Sequence, residues 1–450
     1  MIKVLFTSDW HLGNSFHNYD REEDHRYYFD ALCSVIRSEE PDALVLCGDI
    51  FDNSNPSASS QELFYRTLVR FSRVRPGLQI VLLAGNHDNP RRIEAGGVIL
   101  REIGISVHGL FNSADPLSHV VPIMPLEQSD RDRRDMILCA ALPFLRPLDI
   151  PSSVPYGEGV KECFRRVLDA GREKYPGAKF FIAGHMYAKG AKISEDGSER
   201  SYIGDQDVVE DFTMGDDVLL TALGHIHRRQ AVTGGENIRY VGSALPMSFS
   251  ERGADHGGLV ATFQYGELLE VREFSVPLLR PLVCIPDAPA PWKEVRKLLK
   301  KIPLRSSPLS ERERESYLQV NVLLTESDPE LNKNISAALE GRKCLLCKVK
   351  IHHPGYTGDN AGIYRTIDPE RIEPIDMIRQ IYAATHSRDM SPDVEKLARQ
   401  VIDEAVAMVD EPIPEDYDAE ESSPGPSTTL FASDAIVEAS PSSAESITEE

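Results

Sequence analysis

The chain has 450 residues, 41% of them hydrophobic, and a formal net charge of −22. This size and composition fit a globular protein of two or three domains, and no apolar run approaches the ~18 residues that a membrane-spanning helix needs. The charge is uneven: residues 401–450 hold 14 acidic residues and no Lys or Arg, so the other 400 residues carry only −8.

Cysteine usage predicts a reduced, cytoplasmic protein. The seven cysteines are scattered and odd in number, with no spacing typical of a disulfide framework. Cys344 and Cys347 form a lone C-x-x-C pair in "KCLLCKVKI", whose alternation favours a buried strand over a redox or zinc site. The start, "MIKVLFTSDW", is predicted to be a first strand rather than a signal peptide.

Five short apolar runs, each followed by polar residues, are predicted to be buried strands. In chain order they are KVLF, ALVLC, QIVLLA, KFFIA and VLLTA. Helical patterns lie between the first three, at residues 20–39, with a predicted capping box of Asp20 and Glu23, and at residues 57–73. This alternation predicts an α/β core. Later runs at 238–244, 257–264 and 267–274 predict a more antiparallel sheet, the second leaf of a sandwich.

The pattern changes after residue 280. Alternating helical and strand patterns predict a small α/β unit over 281–355. Residues 356–409 are predicted to be a linker and two amphipathic helices, the second starting at Ser391 with Pro392 in its first turn. Residues 410–450, rich in Ser, Pro, Glu and Asp, are predicted to be a disordered acidic tail, because they cannot bury enough apolar surface to fold.

Each of the five predicted strands ends in residues that can bind a metal ion. These residues are Asp9 and His11, Asp49, Asn86 and His87, His185, and His225 with His227. One such motif is weak evidence, since polar turns are common, but five of them favour a metal centre beyond the carboxyl ends of the strands.

The spacing of His225 and His227 predicts two neighbouring metals. Residues two apart in an extended segment share a face, so each imidazole can meet its own ion. Two ions about 3.5–4 Å apart hydrolyse phosphoesters, and Asp49 is the predicted bridging carboxylate. Mixed oxygen and nitrogen ligands suit Mn, Fe, Zn or Co better than Mg or Ca.

The chain resembles the calcineurin-like metallophosphoesterases and, among them, the SbcD family of bacterial nuclease subunits. The motifs that carry the resemblance are "TSDWHLG" (7–13), "GDIFD" (48–52), "LAGNHD" (83–88), "LPFLRPLDI" (142–150), "ALGHIHRRQ" (222–230) and "YVGSALPMSFSERG" (240–253). The resemblance implies an α/β fold: a four-layer metallophosphoesterase β-sandwich flanked by helices over 1–280, a capping domain over 281–355 and partner-binding helices within 356–409.

The resemblance also implies roles for the candidate residues. One metal would be held by Asp9, His11, Asp49 and His227, and the other by Asp49, Asn86, His185 and His225, with Mn(II) as the expected ion. His87 would be the general acid, or a donor to the transition-state phosphate. Asp52 stands where many relatives have a His, which leaves the balance of exonuclease and endonuclease activity open.

The implied function is hydrolysis of DNA phosphodiesters, at double-stranded ends and in single strands or hairpins. The implied partners are DNA, an SbcC-like ATPase subunit and a second copy of the chain within a heterotetramer. No association with a membrane is implied. Arg91, Arg92, Arg228 and Arg229 are candidates for phosphate contacts, or ordinary surface residues. The helices at 373–409 would dock on the partner or pack on their own body.

Two alternatives remain. A phosphodiesterase for small nucleotides could use the same core, but it would need neither the capping unit nor the later helices. A metal-stabilised scaffold that binds DNA ends without cutting them is disfavoured by the intact ligand set and by His87.

Overall fold

The computed structural model describes residues 1–126, 136–150, 153–193, 208–210, 212–232, 237–305, 314–326, 328–353 and scattered positions between 375 and 402. The chain forms two compact units, Met1–Tyr356 and Thr357–Glu450. The strands and helices named below all lie in the first unit.

The strands, in chain order, are β1 (Ile2–Thr7), β2 (Ser15–Phe16), β3 (Tyr19–Asp20), β4 (Ala43–Cys47), β5 (Gln79–Leu83), β6 (Ile105–His108), β7 (Val120–Ile123), β8 (Ile137–Ala141), β9 (Phe180–His185), β10 (Tyr187–Ala188), β11 (Val208–Val209), β12 (Val218–Gly224), β13 (Gln230–Ala231), β14 (Ile238–Tyr240), β15 (Gly257–Gln264), β16 (Glu267–Ser275), β17 (Leu282–Pro291), β18 (Ser316–Leu323) and β19 (Cys344–His352). The helices are α1 (Glu22–Glu39), α2 (Ala58–Val74), α3 (Pro90–Ala95), α4 (Gly97–Arg101), α5 (Tyr156–Lys174), α6 (Trp292–Leu299) and α7 (Leu331–Leu339).

Two six-stranded sheets make up most of the first unit. The first has the order β16-β15-β1-β4-β5-β6 and the second the order β13-β14-β12-β9-β8-β7. β1, β4, β5 and β6 run parallel, as do β8, β9, β12 and β14. All five predicted strands therefore exist, three in the first sheet and two in the second.

The sheets pack face to face and form the predicted four layers. A buried apolar cluster that includes Phe6, Val45 and Phe181 fills the space between them. A second cluster packs α1 and α2 on the outer face of the first sheet, and a third packs α5 on the outer face of the second. The predicted α/β sandwich flanked by helices is confirmed.

Two local predictions are wrong. The runs at 257–264 and 267–274 do not build a second leaf; they extend the first sheet, because β15 pairs antiparallel with β1. The predicted capping box at α1 is absent. The Asp20 carboxylate accepts from the backbone N–H of Glu22 at 2.9 Å, whereas the Glu23 side chain pairs with Arg280 and Arg314.

The predicted small α/β unit is a third sheet. It has the order β17-β18-β19, with all neighbours parallel, and α6 and α7 cover one face through an apolar cluster. Tyr317 of β18 packs with Phe16, Phe249 and Leu282 in a smaller cluster. Cys344 and Cys347 lie in β19 as free thiols, so the predicted strand is confirmed there, but only Cys344 of the two is buried. The boundary at residue 280 stays a prediction.

Little of the second unit is described. Residues 375, 379, 382, 394–399, 401 and 402 are helical, and Arg379 pairs with Glu395. The predicted linker near 356–372 and the acidic tail over 410–450 lie outside the described residues. Among the residues that the structure describes, no helix has both the length and the apolar character needed to cross a membrane.

Candidate metal centre

The backbone at the strand ends is unusual. Asp9, His11, Asp49 and His225 all have positive φ angles, of 50°, 47°, 48° and 93°. Residues other than Gly rarely occupy this region, and those that do cluster at functional sites. The strain is held by neighbouring strand ends, since Asp9 N–H donates to the Gly48 carbonyl at 3.1 Å and His11 N–H to the Asp49 carbonyl at 3.0 Å.

The two sheets meet at these ends. The backbone N–H of His225, after β12 of the second sheet, donates to Asp9 Oδ1, after β1 of the first, at 3.0 Å. Ser8 forms a parallel bridge with Ser243, which follows β14. Residues that are far apart in sequence are thus joined at one edge of the sandwich, by a backbone bridge and by a bond from a backbone N–H to a carboxylate.

Two glycines permit this close approach. A Cβ on Gly85 would lie 2.1 Å from Asp49 Oδ1, and a Cβ on Gly48 would lie 2.2 Å from His185 Nδ1. Because side-chain atoms do not approach so closely, these positions need Gly.

The Asp49 carboxylate lies between ligands assigned to different metals. Its Oδ2 is 3.6 Å from His11 Nε2 and 3.4 Å from His185 Nε2. Ligand atoms of Asp9, His11 and His227 lie within 4.8 Å of one another, as do those of Asp9, Asp49 and His185. This is the placement expected of a bridging carboxylate.

Asn86 completes the second group. Its Oδ1 lies 2.9 Å from His185 Nε2 and 3.0 Å from His225 Nδ1. The structure therefore brings all seven predicted ligands into one site, although the assignment of each to a particular metal stays a prediction.

The donor atoms fit divalent cations. His185 Nδ1 donates to the Cys47 carbonyl at 2.8 Å, so in the neutral ring the lone pair of Nε2 points at the oxygens of Asn86 and Asp49. His11 is 2% exposed, and neither of its ring nitrogens has a hydrogen-bond partner in the described part of the chain. Such orphaned atoms are rare in protein interiors, and a cation resolves both features.

Electrostatics support the same conclusion. Burial alone would raise the pKa of Asp49, but the imidazoles of His185, His11 and His87 hold it well below its usual range. Burial would lower the pKa of His185, but the carboxylates of Asp49 and Asp9 raise it to about 9. The site therefore attracts positive charge, which metal ions can supply.

His87 lies beside the ligands. Its Nδ1 donates to the Asp52 carbonyl at 2.8 Å, and its backbone N–H donates to Asp49 Oδ1 at 2.9 Å. Its ring centre is 4.8 Å from that of His11. Because Nδ1 is engaged, Nε2 is the atom available to a substrate.

A cleft of about 610 Å³ opens beside the site. It is lined by His87, His225 and His227 together with Arg91 and Arg146. The sequence reasoning missed Arg146, which donates to the Asp88 carbonyl at 2.9 Å and stacks over Phe144. Its position within the motif at 142–150 could have identified it as a residue of the site.

The four arginines proposed for phosphate contacts differ. Arg229 has only 6% of its side chain exposed and bonds to Glu273, the Phe274 carbonyl and Ser275, so the protein already uses its donors. Arg92 donates to Asn55 at 3.0 Å. Arg91 and Arg228 are exposed, and Arg91 also lines the cleft.

Two further aspartates shape the site. The carboxylate of Asp88 accepts from the backbone N–H groups of Ile50, Phe51 and Gly85 at 2.8–3.0 Å. Burial and the charge of Asp49 raise the pKa of Asp88 to about 6. Asp52 lies 3.4 Å from His11 Nδ1 and accepts from Asn14 at 2.9 Å. The sequence reasoning gave Asp88 no role, although it ends the quoted motif at 83–88.

A sandwich of two sheets that meet at a cluster of His, Asp and Asn ligands defines a class of phosphoester hydrolases. The family model described as "Calcineurin-like phosphoesterase" matches residues 2–229, and the chain belongs to that family.

Within the family, the chain is similar to proteins named as the SbcD component of the nuclease SbcCD. The one from Rhodobacter capsulatus is 31% identical over 78% of this chain and 88% of the relative. Those from Escherichia coli K12 and Bacillus subtilis are 31% and 30% identical, each over 63% of this chain and 70% or 71% of the relative. The predicted resemblance and the predicted class of enzyme, a metal-dependent hydrolase, are confirmed.

Proposed function

We propose that this chain is the nuclease subunit of an SbcCD-type DNA repair complex and hydrolyses DNA phosphodiesters. The observation that carries the proposal is the placement of Asp49 between His11 and His185, which joins two ligand groups from two sheets. The relatives named as components of the nuclease SbcCD support the choice of DNA as substrate.

Two divalent ions would occupy the site, with Mn(II) as the expected metal. Asp9, His11, Asp49 and His227 would hold one, and Asp49, Asn86, His185 and His225 the other. When bound, such a pair activates a water molecule and neutralises charge on the phosphate.

The protein's own groups complete the reaction. Nδ1–H of His87 already donates to the Asp52 carbonyl, so the imidazolium form is the one that carries a second proton, on Nε2, and can give it to the departing sugar oxygen. Arg91 and Arg146, which line the cleft, place positive charge where the DNA backbone enters.

The proposed substrates are double-stranded DNA ends, cut as an exonuclease, and single strands or hairpins, cut as an endonuclease. The acidic body binds DNA weakly by itself, so an SbcC-like ATPase subunit supplies much of the grip. The helices within 373–409 dock on that subunit, the third sheet caps the DNA beside the cleft, and two copies of the chain form the centre of a heterotetramer.

The test is a nuclease assay on linear duplex and hairpin DNA with Mn(II), with and without the co-expressed ATPase subunit. The wild-type chain should cut DNA, more efficiently with its partner, whereas Asp49→Asn should not. An exposed variant, Asp216→Asn, is the matched control. Cleavage of small cyclic nucleotides without cleavage of DNA would favour the alternative phosphodiesterase, and metal-dependent DNA binding without any cleavage would favour a scaffold.

A further inference from the structure

A buried acidic residue lies behind one of the candidate ligands. Glu251 ends the helical turn Phe249–Glu251 and is 5% exposed. Its Oε1 lies 3.7 Å from His227 Nδ1. Its Oε1 also accepts from the backbone N–H of Met247 at 3.1 Å, and Oε2 is buried without a hydrogen-bond partner among the described residues.

The burial of this carboxylate needs an explanation. Removing an ionised group from water costs several kcal/mol unless it is paired. Three basic groups lie near Glu251: His227, His256 and Arg21. The charge of Glu251 acts to raise the pKa of His256 and of Arg21, against the lowering effect of burial. Burying the Glu251 carboxylate therefore costs free energy unless it pairs with one of these basic groups.

His227 is the neighbour at the metal centre. A metal-binding His commonly donates its second ring N–H to a carboxylate, which sets the tautomer and the ring orientation. The 3.7 Å between Glu251 Oε1 and His227 Nδ1 is an ion-pair distance rather than a hydrogen bond. It places Nδ1 on the carboxylate side of the ring, with Nε2 left for the cluster of His227 with Asp9 and His11.

Arg21 carries a charge that couples to this carboxylate. It is 1% exposed, donates to the Pro246 carbonyl at 2.6 Å and stacks over Phe16 and over Tyr317 of the third sheet. The segment that contains Pro246 also contacts the centre, because Ser243 N–H donates to the His227 carbonyl at 3.0 Å. Arg21 therefore links Tyr317 of the third sheet to the segment that contacts His227.

We propose that Glu251 is a positioning residue that orients His227 for metal binding, with Arg21 as its counter-charge. This inference rests on the proposed metal centre and deepens it, since it assigns the support of one ligand. It predicts that loss of the carboxylate weakens one metal site and spares the other.

The test measures Mn(II) binding to the full chain by titration calorimetry, in the absence of DNA, for Glu251→Ala and Glu251→Gln. The Ala variant should bind one of two ions about 10–100-fold more weakly. The Gln variant, which keeps an oxygen acceptor and the side-chain volume, should fall between Ala and wild type. Glu267→Gln, at an exposed position of β16, should match wild type.

Melting temperatures in EDTA separate positioning from folding. Unchanged Mn(II) affinity in both Glu251 variants overturns the inference, as does an affinity loss that vanishes at a temperature where the metal-free variant is fully folded. If the Ala variant does not fold, the Gln variant decides. A wild-type chain that binds two ions but leaves DNA intact contradicts the proposed function and not this inference.

Discussion

The Asp49 carboxylate lies 3.4 Å from His185 Nε2, although Asp49 follows β4 of the first sheet and His185 ends β9 of the second. The candidate metal centre therefore forms only when the two sheets are packed together. Ions that bind there bind the folded chain and not the unfolded one.

Metal removal should consequently destabilise the protein. Mn(II) at 100 times its dissociation constant should add about 2.7 kcal/mol to the free energy of unfolding for each site. The measurement is the melting temperature in EDTA against increasing MnCl₂. His87→Ala should show the full increase and Asp49→Asn a smaller one; equal increases in all three proteins would contradict the bridging role.

A single methyl group at Gly85 should destroy the centre. Its Cβ would lie 2.1 Å from Asp49 Oδ1, so Gly85→Ala must displace the carboxylate. We expect Mn(II) stoichiometry below two and loss of hydrolysis. Gly97→Ala is the control, because its nearest neighbouring atom is at 3.4 Å; it should keep both properties. Normal Mn(II) binding by Gly85→Ala would show that the loop tolerates a Cβ.

His87→Ala should separate chemistry from metal binding. The ring bonds to the Asp52 carbonyl and is not required in either ligand set, so its removal should lower the cleavage rate about 10²–10⁴-fold. Metal content and DNA affinity should stay at wild-type values, by elemental analysis and fluorescence anisotropy. Loss of metal together with activity would instead make His87 a ligand.

Arg91 and Arg229 should behave oppositely. Arg91→Ala should reduce the slope of log affinity for DNA against log salt by about one, because an exposed cleft cation is removed. Arg229→Ala should leave that slope unchanged and lower the free energy of unfolding by about 1–3 kcal/mol, because it removes charge-assisted bonds made by a side chain that is itself only 6% exposed. A changed salt slope for Arg229→Ala would instead show that Arg229 contacts a DNA phosphate.

Acid should destabilise the fold through His108. Burial, together with the charges of His119 and Arg101, lowers the pKa of His108 to about 3. Between pH 6.5 and about 3 the unfolded chain binds a proton that the folded chain rejects, so stability falls as pH falls. From pH 7.5 to 5, wild type should lose roughly 2 kcal/mol more than His108→Asn, as measured by urea unfolding. Parallel losses in the two proteins would mean that His108 protonates in the fold.

The sequence by itself determined the chemistry. Polar ligands placed directly after apolar runs identified Asp9, His11, Asp49, Asn86, His185, His225 and His227, all of which the structure brings together. This was possible because a parallel strand directs the residues after its carboxyl end to one edge of a sheet. The strand and helix predictions succeeded because each depends on local periodicity, whereas the four-layer arrangement was implied by the family resemblance.

Only the tertiary structure decided which sheet each strand joins and what supports the ligands. An apolar run at 257–264 fits either sheet, and its pairing with β1 depends on contacts across the whole domain. The Glu23 side chain does not cap the helix as predicted, because it pairs with Arg280 and Arg314, which lie outside the helix. Glu251 and Asp88 act through neighbours that are distant in sequence, and the free energy of burying their charges is defined only once those neighbours are in place.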